Sequence, residues 1–174
     1  GPDGKQQLAL RRFDHAQATL LAGTENGFDP FFSPDGQWLG FFADNQLKRV
    51  SLANGVVVTL CNAVMPFGGS WGDDGNIVAT LFAGSSLHRI PASGGTTRAL
   101  AKLAPGEFSH LWPQVLPGGQ AVLFTSLPAP LGLDEASINV LLPRTGETRI
   151  VHARGYFGRY VPSAKNTMVR DFFL

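Results

Sequence analysis

The chain has one cysteine, Cys61. That count excludes an internal disulfide and a Cys-rich zinc site, and Cys61 reads as a small buried thiol. Long apolar runs are also missing. None approaches the roughly 18 residues that a membrane-spanning helix needs. No secretory leader pattern is visible, and the compartment is left open. Charge of one sign is lacking too: 14 basic residues face 13 acidic ones, for a net charge of +1. No basic block points to nucleic acid or to an anionic membrane surface. Charged residues are only 16% of the chain, against 21 glycines and 12 prolines. That balance leaves little room for solvated helix and asks for many turns.

What the sequence does have is a repeated hairpin signal. Residues 31–42 read FFSPDGQWLGFF. Pro34 presets φ at a turn corner, Asp35 can bond its own backbone, and Gly36 accepts a positive φ. The flanking aromatics are strand formers without a helical period. Copies follow as SWGDDGNIVATLF (70–82), QVLPGGQAVLFT (114–125) and RYVPSAKNTMVRDFF (159–173). The turn positions Gly36, Gly75, Gly119 and Ala164 are 39, 44 and 45 residues apart. A period of about 40–45 residues with four short strands is the spacing of a propeller blade. The segments after each turn also repeat. LKRVSLANGVVVTL (47–60), LHRIPASGGTTRAL (87–100) and INVLLPRTGETRIV (138–151) each read as strand, turn, strand. The expected architecture is therefore all-β: a β-propeller with four-stranded antiparallel blades. The 174 residues suit one domain, with blades at 29–60, 69–100 and 112–151.

Residues 8–21, LALRRFDHAQATLL, resemble an outer strand pair, and residues 156–174 an inner pair. The chain is thus expected to hold three full blades and two complementary half-blades. An open half-blade exposes unpaired backbone groups. The two halves are expected to meet between two chains, closing an eight-bladed ring by strand exchange. Closure of four blades within one chain is the alternative. Trp38 and Trp71 are expected between blades.

The stretches PFFSPDGQWLGFF, GGSWGDDGNIV, HRIPASGG, SHLWPQVLPGGQAVLFT and GRYVPSA resemble the WD40-like repeat called PD40. That repeat occurs in TolB and tricorn-type propellers. The chain is most similar to propeller regions attached to some bacterial serine/threonine kinases. The resemblance covers almost the whole sequence. It implies a soluble propeller, in a setting that is often extracytoplasmic in bacteria. It implies no kinase activity, since no kinase segment is present. It also implies no particular ligand, because such folds host many unrelated sites.

Candidate chemistry is sparse. His15 falls in the turn of the N-terminal pair, His88 on a strand and His152 after one. None has a partner at a metal-ligand spacing. There is no G-x-S-x-G. GGSWG (68–72) lacks the lysine and helix of a phosphate loop. Asp35, Asp73 and Asp74 read as turn residues. The remaining candidates sit where the chain enters an inner strand: Asp29, Glu107, His110 and Arg159. With Phe28, Phe67 and Phe157, they would line one mouth of the central channel. Two functions follow. The first is a non-catalytic interaction or scaffold module whose partners are a second copy of itself and another protein or a small molecule at the channel. It needs no cofactor. The second is a metal-assisted hydrolase of the lactonase or phosphotriesterase kind. There Asp29, Glu107 and His110 would hold a divalent metal, and Arg159 would stabilise a developing anion.

Overall fold

The computed structural model of the protein describes residues 4, 6–130 and 132–162. Strands β1 (Gln7–Leu10) and β2 (Thr19–Glu25) form a two-stranded antiparallel sheet. The first four-stranded sheet holds β3 (Phe28–Phe32), β4 (Trp38–Ala43), β5 (Gln46–Ser51) and β6 (Val57–Asn62). The second holds β7 (Gly69–Trp71), β8 (Asn76–Ala79), β9 (His88–Pro91) and β10 (Arg98–Ala99). The third holds β11 (Ser109–Val115), β12 (Val122–Leu127), β13 (Ser137–Leu142) and β14 (Glu147–His152). In each sheet the strands follow chain order and pair antiparallel. The first strands of the three sheets approach one another, β3 beside β7 and β7 beside β11. This is a β-propeller of four-stranded antiparallel blades.

The first turn of each blade is built alike. The N–H groups of Gly36, Gly75 and Gly119 donate to the carbonyls of Ser33, Gly72 and Leu116, at 2.9, 3.2 and 2.9 Å. All three glycines have φ between 66° and 75°, where a Cβ is costly. Asp35 and Asp74 finish the turn by accepting the N–H groups of Gln37 and Asn76 at 3.0 Å each.

Packing between blades follows from the strand period of two. Along β4, Leu39, Phe41 and Ala43 face the N-terminal sheet and meet Leu8 and Leu21. Phe42 faces the other way, into a cluster with Ile77, Ala79 and Leu81 of the second blade. Val78 then turns to meet Val122, Phe124 and Leu141 of the third blade. On the far side of the third blade, Ile138 is fully buried against the chain at Gly155 and Gly158. Trp71 packs against Phe31, with ring centroids 6.4 Å apart. Trp38 is only half-buried, and Arg49 stacks over its ring at 4.1 Å.

The third sheet begins at Ser109, three residues ahead of its expected start at 112. The reason is a bulge. Pairing of β11 with β12 breaks register between Leu111 and Gln114, and Pro113 lies in the gap. β3 breaks register at the same place, between Phe28 and Phe31, with Pro30 in the gap. A proline cannot donate to a ladder, so it is tolerated at a bulge. The expected start at 112 stands beside Pro113; in the structure the strand runs through that proline. At the chain's other end, residues 156–162 form no strand. The rest of the expected inner pair, 163–174, lies outside the described residues.

One contact tests this packing. The Phe31 ring lies across Gly40 of its own blade and Gly69 of the next. A Cβ at Gly69 would meet that ring at 2.5 Å. Gly69→Ala is expected to lower stability by about 1–3 kcal/mol through overpacking. Urea denaturation followed by tryptophan fluorescence reads the shift, and an unchanged midpoint would refute the close fit.

Candidate functional site at the channel mouth

Where each copy enters its inner strand stands Asp29, Gly68 or Trp112, and Phe157 occupies the matching place in the fourth copy; Asp29 and Trp112 lie within the two bulges. Each is seven positions ahead of Gly36, Gly75, Gly119 or Ala164. All four have a left-handed backbone, with φ of 46°, 81°, 50° and 57°. Only glycine adopts this readily, and a bulky residue held there is strained. The bends turn these four positions toward a single cleft of about 230 Å³, which Arg159 also lines.

The cleft has one carboxylate and one guanidinium. Loss of water pushes the Asp29 carboxyl above its ordinary value, against the Gly68 N–H that it accepts and the charge of Arg159. Burial likewise pushes Arg159 below its usual range, with Asp29 opposing. The guanidinium lies 4.1 Å from the centre of the Phe157 ring. Its Nη1 donates to the Trp112 carbonyl at 3.2 Å and to the Gly158 carbonyl at 3.3 Å. Trp112 is the hub of this mouth. Its N–H donates to the Phe67 carbonyl at 2.9 Å, and its ring meets Phe67 and Phe157 edge to face. Beyond Trp112 lies an apolar pocket of about 320 Å³, lined by Phe67, Phe108, Leu111 and Leu127 among others.

Asp29 and Arg159 therefore come together as expected, with Phe157. Glu107 and His110 do not line that cleft. The expectation matched the 107–110 loop to the strand start in the third blade, where the structure puts Trp112. The signal that finds Trp112 is its distance of seven from the turn glycine, the same as for Asp29. His110 instead lies inside β11 and is fully buried, its ring 4.4 Å from that of Phe124. Nε2 pairs with Glu107 Oε2 at 3.0 Å. Ser126 Oγ donates to Glu107 Oε1 at 2.6 Å, and the Ala104 N–H donates to Oε2 at 2.7 Å. His110 Nδ1 has no partner among the described residues. A proton there would be a buried, unpaired donor, so the neutral ring carries its proton on Nε2. The pair braces the 104–107 turn against the third blade. Among the described residues, no three His, Cys, Asp or Glu side chains group closely enough to hold a metal.

This brace has a pH signature. Burial lowers the His110 pKa from 6.5, with Glu107 opposing. The unfolded chain then takes up a proton first, so stability is lost as pH falls below about 6.5. His88, also lowered by burial, acts in the same direction. Desolvation raises the Glu107 carboxyl, but its three donors outweigh that and hold it below 4.5. Its contribution is present above that value and lost as pH falls further. Thermal melts between about pH 7 and pH 5 should show a falling midpoint for the native chain. His110→Asn should start lower and fall less steeply. Equal slopes would show that the ring titrates as freely folded as unfolded.

No family model matches the chain, and no curated protein matches it. Solved structures do. TolB from Acinetobacter baumannii superposes with a TM-score of 0.71 at 15% identity, over 86% of this chain and 38% of that one. A TolB protein of Agrobacterium tumefaciens gives 0.72 at 15% identity, over 88% and 60%. A prolyl endopeptidase gives 0.62 at 12% identity, over 86% and 26%. The chain thus spans less than two thirds of the length of either TolB protein. Identities this low speak of fold alone, and that fold is a TolB-like β-propeller.

Proposed function

We propose that the chain is a non-catalytic binding and scaffold module that completes its ring with a second copy, giving eight blades. The observation that carries the binding half is the shared wall at Trp112. One side of it is a cleft with a carboxylate and a guanidinium, and the other is an apolar pocket. Such a surface suits a partner that offers an apolar side chain next to a charge. Glu107 and His110, the groups best suited to proton transfer, are turned inward and spent on the brace. The binding partner is a protein segment or a small molecule at this mouth. The setting we propose is that of the propellers attached to bacterial serine/threonine kinases, as a part that senses rather than reacts.

Pairing of chains is supported by the N-terminal sheet. β1 and β2 are the outer half of a blade, and they already cover the first full blade through Leu8 and Leu21. An inner half from a second copy would complete them. Size-exclusion chromatography with light scattering tests this. The expected mass is twice the 18.6 kDa of the chain, and a mass of one chain would overturn closure by pairing. For the non-catalytic half, lactone and phosphotriester substrates should turn over no faster with protein than without. Turnover that His110→Ala abolished would overturn it.

A further inference from the structure

The opposite mouth of the channel, beside the Gly36-type turns, carries a second constellation. Four positions before each turn glycine stand Phe32, Trp71, Val115 and, in the fourth copy, Tyr160. Two positions before stand Pro34, Pro117, Pro162 and, in the second blade alone, Asp73. All eight line one cleft of about 310 Å³, and no basic side chain lines it among the described residues. Phe32 is 54% exposed there. Tyr160 is held in place by the Gln114 amide, which donates to its carbonyl at 3.0 Å and accepts its N–H at 2.8 Å.

Asp73 stands apart from the other turn carboxylates. Asp35 and Asp74 are spent on the turns, and Asp74 also pairs with Arg89 at 3.1 Å. The turn thus accounts for the carboxylates of Asp35 and Asp74, one residue before the glycine. It does not explain Asp73, where the other copies have proline. The Asp73 side chain makes no hydrogen bond or ion pair among the described residues. Asp73 does lie in the turn, as the sequence reading has it, but its side chain takes no part in closing it.

We propose that this mouth is a binding site for a small quaternary ammonium compound, seated between the Trp71, Phe32 and Tyr160 rings with Asp73 as its counter-charge. Ring faces attract cations, and quaternary ammonium groups are bound in aromatic cages for this reason. The collar separates this cation from a primary ammonium. A lysine head carries three donors and wants three acceptors. Apart from Asp73 and the already engaged Gln114, the side chains here are proline, valine, leucine and aromatic. A trimethylammonium head has no N–H to leave unpaired, and its methyl groups suit those walls. All the residues that line it come from one chain.

The test is titration of the whole chain with choline chloride, read by tryptophan fluorescence and by calorimetry. A saturable response at or below about 10 mM is expected. The uncharged isostere, with carbon in place of nitrogen, should bind about tenfold more weakly. Asp73→Asn should weaken choline binding several-fold, and Tyr160→Ala should do so without touching a tryptophan. Trp71→Leu should abolish the signal, while Trp38→Phe should keep it. Three results would overturn the proposal: no saturable response, equal binding of the uncharged isostere, or preference for a lysine amide over choline.

Discussion

The structure rests on burial of each blade's second strand on both of its faces. A strand in a two-layer protein alternates apolar and polar residues, because one face is wet. β4, β8 and β12 cannot do so. Phe41 serves one neighbour and Phe42 the other; Ile77 and Val78 divide in the same way. Each blade therefore needs two partners before its core is dry. This makes the fold cooperative along the chain. It also explains why the third blade needs the 155–160 segment, since Ile138 would otherwise face water. The same constraint fixes the glycines at the centre: Gly40 and Gly69 leave the space that Phe31 fills.

Convergence of the inner strands creates the second constraint. Where β3, β7 and β11 meet, a regular ladder would point alternate side chains into the neighbouring strand. The left-handed backbone at Asp29, Gly68, Trp112 and Phe157 turns one residue per copy toward the channel instead. Three of the four are not glycine, and each such residue costs on the order of 1–2 kcal/mol. The surrounding contacts must supply that energy. Trp112 is held by the Phe67 carbonyl and two edge-to-face rings, Asp29 by the Gly68 N–H, and Phe157 by the Thr125 hydroxyl, which accepts its N–H at 2.9 Å.

The hairpins, the blade period and the all-β class were legible because turn chemistry is local. Gly36, Gly75 and Gly119 each sit in a short stretch that needs no distant residue to define it. The mouth was legible in part. Asp29 and Arg159 lie beside aromatics at a strand start, and that pattern is visible. Glu107 and His110 were misplaced because a buried pair and an open pair have the same sequence spacing. Only the fold shows that Ser126 and the Ala104 N–H already occupy the carboxylate. The bulge itself was hidden behind Pro113, since a proline cannot donate to a ladder and reads as a strand boundary. Trp38 was legible as a large apolar residue, but not as the platform for Arg49.

Comparing the copies within the chain separates what the fold requires from what it leaves free. The turn position is glycine in three copies, because φ demands it. Four residues earlier the side chain is always apolar or aromatic, Phe32, Trp71, Val115 or Tyr160, and lines the end of the channel. Seven residues earlier only backbone geometry is shared, and the side chains range from Asp29 to Trp112. Chemistry can vary there without disturbing a blade. Asp73 is the reverse case, one polar residue at a position where the other three copies have proline. Proline suits a turn corner because its φ is already set. Giving up that advantage in one blade gains nothing for the turn. What it adds is a negative charge beside Phe32, Trp71 and Tyr160.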